Sequence, residues 1–155
     1  MNVKEVMTTN VITVRVDQTR QEVARLLSQH RISGLPVVDN DNVLLGIVTE
    51  YDIISKEGRT VGDIMTHSII SVSADTDLGE ASHILVHERI RRLPVIDQGR
   101  LIGIVSRADL VREVATRWIC EICGEVTHSE DQPASCSRCG AGGVAESPEP
   151  VPPGS

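Results

Sequence analysis

Gly46-Ile47-Val48-Thr49-Glu50-Tyr51-Asp52 is a short apolar run ending on a hydroxyl residue, with an aspartate three positions later, and it occurs twice. The second copy is Gly103-Ile104-Val105-Ser106-Arg107-Ala108-Asp109. Each reads as a buried strand running directly into a helix start. The hydroxyl is placed as N-cap, and the aspartate at the third helical position can reach back to complete a capping box. Such a start leaves unpaired N–H groups at the positive end of a helix dipole, which suits an anion. A capping box also stabilises a helix at which nothing binds, so the corner alone leaves both readings open.

Working outward, the whole neighbourhood is duplicated. Val3 to Asp39 matches Val61 to Asp97 at a constant offset of 58, which drops to 57 after the turn so that Gly46 meets Gly103. The matches include Met7/Met65, Val14/Val72, Glu22/Glu80, Leu27/Leu85, Arg31/Arg89, Pro36/Pro94 and Asp52/Asp109. Within each repeat, Val11–Val16 and Ile69–Val72 read as short β-branched strands. Thr19 with Glu22, and Asp77 with Glu80, read as capping boxes opening amphipathic helices. Those helices set Val23, Leu26, Leu27 and His30, and Ala81, Ile84, Leu85 and Glu88, on one side. Asn40-Asp41-Asn42 and Gln98-Gly99 read as hairpin turns, and Gly58 as a helix stop. The predicted order is β-α-β-β-α, twice. One repeat of this size buries too little surface to stand alone, so the pair is expected to share a core.

The 155-residue chain has 40% apolar residues but no Phe, one Trp and one Tyr, so base-stacking platforms are not expected. A net charge of −7 disfavours a general hold on nucleic acid or an anionic membrane. No apolar run is long enough to span a bilayer, and the N-terminal residues are too polar for a secretory signal; the chain reads as cytoplasmic. His83 and His87 stand one helical turn apart without a third ligand and read as a helix-surface pair. No serine, cysteine or His-Glu arrangement in residues 1–117 has the neighbours of a catalytic group.

Taken in order and twice over, several segments resemble a tandem pair of cystathionine-β-synthase-type (CBS) domains, the Bateman module. They are Val6-Met7-Thr8 with Ile64-Met65-Thr66, Ile12-Thr13-Val14 with Ile70-Ser71-Val72, Arg31 to Val37 with Arg89 to Val95, and the two corners. The resemblance implies an α+β fold in which two repeats, residues 1–58 and 59–117, pack about a pseudo-twofold axis. It implies regulatory binding of an AMP- or ADP-like adenine nucleotide between the repeats, relayed to a partner, without catalytic activity. A homodimer is expected on the same ground.

Carried over residue by residue, the resemblance gives Asp52 and Asp109 to the ribose hydroxyls and Thr49 and Ser106 to phosphate. It gives Ile12, Thr13, Ile70 and Ser71 to the base, with backbone around Ser33-Gly34-Leu35 and Arg91-Arg92-Leu93 reading its edge. Tyr51 is placed to cover a base or ribose. Ser33-Gly34 in one repeat stands where Arg91-Arg92 stands in the other. Two unequal sites are therefore expected, with phosphate met mainly by Arg91, Arg92 and Arg107. So few cations favour AMP or ADP over ATP.

Cys120-Glu121-Ile122-Cys123-Gly124 and Cys136-Ser137-Arg138-Cys139-Gly140 are two Cys-x-x-Cys-Gly knuckles. The spacing lets Cys120, Cys123, Cys136 and Cys139 meet one tetrahedral metal, and each glycine can take the left-handed turn around the sulfurs. A segment this small needs the metal for stability, about 10–16 kcal/mol for structural zinc. Residues 118–143 resemble a zinc ribbon, and more closely a rubredoxin-type module through Trp118-Ile119-Cys120. Zinc and iron both accept four thiolates, and Glu125, where the family often has an aromatic, favours zinc. An iron electron-transfer protein gated by the CBS pair and a transcription-associated zinc-ribbon regulator are the alternative functions; the acidic ribbon disfavours nucleic acid. Residues 144–155 are expected to form a disordered tail.

Overall fold

A computed structural model describes residues 1–146. A 3-10 turn at Val3–Glu5 precedes α1 (Arg20–His30), β1 (Gly34–Val38), β2 (Leu44–Thr49), α2 (Glu50–Ser55) and α3 (Val61–Ile64). Then come β3 (Val72–Ser73), α4 (Leu78–His87), β4 (Arg92–Asp97), β5 (Arg100–Ser106) and α5 (Arg107–Thr116). Three short strands close the described chain: β6 (Arg117–Cys120), β7 (Val126–His128) and β8 (Val144–Glu146). Helices and strands are both present, as an α+β fold requires.

Two compact units emerge, and they do not follow the two sequence repeats. One gathers residues 8–74 and 93–104; the other gathers 1–7, 75–92 and the chain from 105 onward. The first holds a core of Val14, Val23, Leu27, Leu35, Val37, Val48, Val61, Ile64 and Met65. In the second, Val3, Leu78, Ala81, Leu85 and Val105 are buried.

The crossing-over has a backbone cause. In the first unit, Val61 N–H donates to Gln18 O at 2.9 Å and Arg20 N–H to Arg59 O at 2.9 Å, so the second repeat's lead-in holds the start of α1. In the second unit, Val3 N–H donates to Thr76 O and Leu78 N–H to Met1 O, both at 2.9 Å, and the first repeat's lead-in holds the start of α4. Further bridges within the first unit join Thr8 to Ile104 and Thr66 to Ile47, positions equivalent under the repeat register. Leu44 N–H also donates to Gly99 O and Leu101 N–H to Asn42 O, tying the two hairpin turns together.

This exchange explains where the sequence expectations fail. Thr19 Oγ1 accepts the Glu22 N–H at 3.1 Å and Asp77 accepts the Gly79 N–H at 3.0 Å, but neither Glu22 nor Glu80 completes a box. The missing half of each box is the bond from the Thr19 or Asp77 N–H to the glutamate; Glu22 Oε2 instead accepts from Gln18 Nε2 at 3.4 Å. The strand expected over Val11–Val16 reduces to one parallel bridge, Val14 to Val37, and that over Ile69–Val72 to Val72–Ser73 beside Val95 and Ile96. Thr8 pairs with β5 and Val14 with β1, so residues between them pass from one partner strand to another and no continuous ladder forms.

The hairpins are as read. β1 and β2 pair antiparallel from Gly34–Thr49 to Val37–Gly46, and their turn passes through Asn42 at φ 65°. Gln98 and Gly99, at φ 50° and 79°, give the left-handed pair a two-residue hairpin demands. On α1, Val23 and Leu27 are buried, Leu26 is half-buried and His30 exposed; on α4, Ala81 and Leu85 are buried, Ile84 half-buried and Glu88 exposed. His83 and His87 are both exposed, their ring centroids 3.9 Å apart.

The C-terminal strands form a three-stranded antiparallel sheet in the order β7-β6-β8. Val144 pairs with Cys120 and is buried beside it, so the expected disordered tail gives up its first three residues to a strand; the rest lies outside the described residues.

Gly46 lies where Ile47 and Thr66 exchange hydrogen bonds, and a Cβ there would stand 2.6 Å from Thr66 O. Gly46→Ala is therefore expected to lower the unfolding free energy by about 1–3 kcal/mol in urea titrations. A change within about 0.5 kcal/mol would show that this backbone approach is not tight.

Candidate functional site

The two corners share one capping geometry and differ in everything around it. At the first, Thr49 N–H and Oγ1–H donate to Asp52 Oδ2 at 2.9 and 3.1 Å, and Asp52 N–H returns a bond to Thr49 Oγ1 at 3.3 Å. Thr66 Oγ1–H reaches Asp52 Oδ1 at 3.1 Å, and Lys56 Nζ stands 2.7 Å from the same oxygen. Asp52 is 1% exposed and both its oxygens are engaged. Burial opposes its charge, but Lys56, the Thr49 N–H and the Thr66 and Thr49 hydroxyls outweigh it and hold the carboxyl below its ordinary 3.8. This corner is internally neutralised.

At the second, Ser106 N–H and Oγ–H donate to Asp109 Oδ2 at 2.8 and 3.0 Å. Oδ1 meets the exposed Arg112 guanidinium at 3.4 Å, a long contact that leaves it acceptor capacity. Arg91, Arg92, Ser106, Arg107 and Ala108 line an open cavity of about 250 Å³ at this end of α5. Arg107 N–H donates to Arg91 O at 3.2 Å and its Nε–H to Ile90 O at 3.0 Å, which fixes the loop against the helix. The first corner has Ser33, Gly34 and Glu50 at the matching positions, with Glu50 N–H on Ser33 O at 2.9 Å. Three cations in one repeat thus stand against one carboxylate in the other.

The remaining expected residues scatter in exposure. Leu35 and Leu93 are buried in their strands, Ile12 packs on the core, and Thr13 and Ser71 are half-buried. Ile70 is 39% and Tyr51 70% exposed. Sequence reading missed Lys56 and Thr66 as partners of Asp52. The signal was available: Lys56 lies four residues after Asp52, one helical turn away.

The four cysteines form a second site, built by two near-identical knuckles. Gly124 N–H donates to Cys120 O and Gly140 N–H to Cys136 O, both at 2.9 Å, with the glycines at φ 77° and 76°. Cys120 N–H closes on Glu125 O at 2.9 Å and Cys136 N–H on Ala141 O at 2.8 Å. The Sγ atoms of Cys120 and Cys139 are 3.7 Å apart, those of Cys123 and Cys136 3.6 Å, and all four lie within 4.8 Å of one another. A tetrahedron of 2.3 Å metal–sulfur bonds has edges of about 3.8 Å, so the arrangement is compatible with a metal; a disulfide needs about 2.05 Å. The amides of Cys139 and Arg138 draw the Cys136 thiol down to about 6, and those of Cys123 and Ile122 lower Cys120. The Glu125 N–H favours a Cys123 thiolate, yet burial and the neighbouring sulfurs push that thiol up to about 12. A divalent cation replaces protons in such a crowd. Trp118 packs on this cluster and donates from Nε1 to Ser129 O at 2.9 Å.

The chain belongs to the CBS domain family, whose model matches residues 3–58 and 61–116. It is 40% identical over 116 residues to the CBS domain-containing protein YhcV of Bacillus subtilis, a match covering 70% of this chain and 82% of YhcV. It is similar to the crystal structure of CBSX2 of Arabidopsis thaliana in complex with AMP, at TM-score 0.69 and 34% identity over 72% of this chain and 93% of that one. It is also similar to the CBS domain pair of protein MJ0100 in complex with 5'-methylthioadenosine and S-adenosyl-L-methionine, at TM-score 0.65 and 30% identity over 72% of this chain and 94% of that one. The four cysteines lie beyond the residues the family model matches.

A carboxyl lowered on folding adds stability above its unfolded value and loses it as pH falls through the folded one. Wild type and Asp52→Asn are therefore expected to differ in urea stability by about 1–3 kcal/mol from about pH 5 to 7. The two curves should converge below pH 3.8. A gap that persists unchanged down to about pH 2 would contradict the ionised, paired Asp52.

Proposed function

We propose that the chain is a regulatory, non-enzymatic sensor of AMP- or ADP-like nucleotides, with its principal site at the second corner. The observation that carries this is the cavity lined by Arg91, Arg92, Arg107 and Ser106 at the positive end of α5. Guanidinium forks and the Ser106 hydroxyl suit phosphate oxygens, and Asp109 Oδ1 suits a ribose hydroxyl. AMP bound to a relative of this fold supports the ligand class. A sulfonium nucleoside is the poorer match here, because its positive charge would face three arginines. Glu50 and the internally paired Asp52 make the first corner the weaker anion site.

Zinc is the proposed metal of the four-cysteine ribbon, in a zinc-ribbon or rubredoxin-like fold. Cys123 and Cys139 are exposed and Trp118 is the single aromatic beside the sulfurs, which suits a structural ion better than a water-shielded iron redox centre. Thiols free for a metal suit a reducing compartment, so the cytoplasm is the proposed location. No helix of the described residues is long and apolar enough to cross a membrane. Tyr51 and Ile54 on α2, and Val111 and Val114 on α5, are exposed apolar side chains that support a homodimer.

Calorimetric titration is expected to show AMP binding more tightly than S-adenosylmethionine. Substituting Arg91→Ala and Arg92→Ala together should weaken AMP by about tenfold or more. Unchanged AMP affinity in that variant, or preference for the sulfonium ligand, would overturn the reading. Elemental analysis and sedimentation equilibrium of the purified protein should give one zinc per chain and a dimer; a red, iron-bearing protein or a monomer would remove the corresponding statement.

A further inference from the structure

Position 113 is where the two repeats part most sharply. Under the repeat register it corresponds to Lys56, the cation that α2 supplies to its own Asp52. In α5 the place belongs to Glu113, 5% exposed and one turn beyond Asp109, a like-charge pair at i,i+4 spacing. The partner of Glu113 comes from outside the repeat. His128 Nε2, on β7, stands 2.6 Å from Glu113 Oε1, and Ser129 N–H donates to Thr116 O at 2.9 Å, fixing β7 to the end of the helix. Among the described residues no lysine or arginine pairs with Glu113. Arg112 turns to Asp109, and Arg117, which makes no ion pair among the described residues, leaves its Nε buried without a hydrogen-bond partner there.

The strand that carries His128 is held by the metal segment. Among the described residues β7 pairs only with β6, which delivers Cys120 to the four-cysteine cluster. A ribbon of this size keeps such a strand in place only while its sulfurs are cross-linked.

We propose that the metal in the ribbon and the anion at the second corner are coupled through the Glu113–His128 contact. With the ribbon loaded, His128 Nε2 holds the buried Glu113 carboxyl in a 2.6 Å hydrogen bond one helical turn from Asp109. When the metal leaves, His128 is released and Glu113 loses its hydrogen-bond partner near the anion-binding end of α5, so anion affinity falls. This rests on the nucleotide reading above and adds its regulation. Metal availability would then gate nucleotide sensing at one corner, while the first, with Lys56 in place, stays indifferent.

The test is AMP titration of the full chain, metal-loaded and stripped with a strong chelator, for wild type, His128→Ala and Glu113→Lys. In wild type, stripping is expected to weaken AMP on the order of fivefold or more. His128→Ala that retains its metal should bind AMP as weakly as stripped wild type. Glu113→Lys restores the arrangement of the first corner and should bind AMP equally well loaded or stripped. By reciprocity, AMP should raise the metal affinity of wild type by the same factor in competition with a chromogenic chelator. Equal AMP affinity in loaded and stripped wild type would overturn the coupling and leave the nucleotide reading standing, whereas no AMP binding to loaded wild type would defeat both. Should His128→Ala lose its metal, a metal-dependent AMP affinity in Glu113→Lys would still overturn the coupling.

Discussion

Everything in residues 1–116 depends on backbone hydrogen bonds donated across the repeat boundary. The start of α1 is finished by Arg59 and Val61, and the start of α4 by Met1 and Val3, in equivalent pairs at nearly equal distances. Unsatisfied helix-start amides are costly when buried, so neither helix is complete without the other repeat's lead-in. That constraint makes the duplication a structural necessity. A single copy would keep its sequence motifs and lose the partners of its first helical turn.

Once two copies are bound to one another in this way, they are free to diverge where the exchange does not reach. The first corner has gathered Lys56 and Thr66 around Asp52 and spent its acceptors internally. The second holds Asp109 Oδ2 in its capping box, leaves Oδ1 to a long Arg112 contact, and collects Arg91, Arg92 and Arg107 around an open cavity. Electrostatics decides between them. A dianionic phosphate meets opposed charge at one corner and, at Glu50, like charge at the other.

What could be read from the sequence was what is local. Thr49 with Asp52 and Ser106 with Asp109 form full capping boxes because every bond in them spans three residues. Gly124 and Gly140 turn left-handed for the same reason, and the cysteine spacing carried the metal geometry with it. At Thr19 and Asp77 only the N-cap half of the box forms, and the distant lead-ins meet the next amide, that of Arg20 or Leu78. Ile12 and Thr13 looked like strand because β-branching is a local signal, whereas the choice of ladder partner is not. Val144 was assigned to the tail since a lone apolar residue before a polar, proline-rich run has no periodicity; its burial comes from Cys120 across the sheet.

His128 is the clearest case of a residue invisible to motif reading, since it belongs to no spacing pattern and its partner lies fifteen residues back. Its meaning emerges only when the register is carried through the end of the repeat and Lys56 is found opposite Glu113. A buried carboxyl in that place is costly without a polar partner, and the repeat that lacks the lysine takes one from elsewhere. The ribbon supplies the His128 imidazole. The ribbon therefore touches the helix it follows at a buried group, because any force that melts β7 also removes the Glu113 contact. On the proposed coupling, the acidic residue at position 113 and the strand that carries His128 belong together.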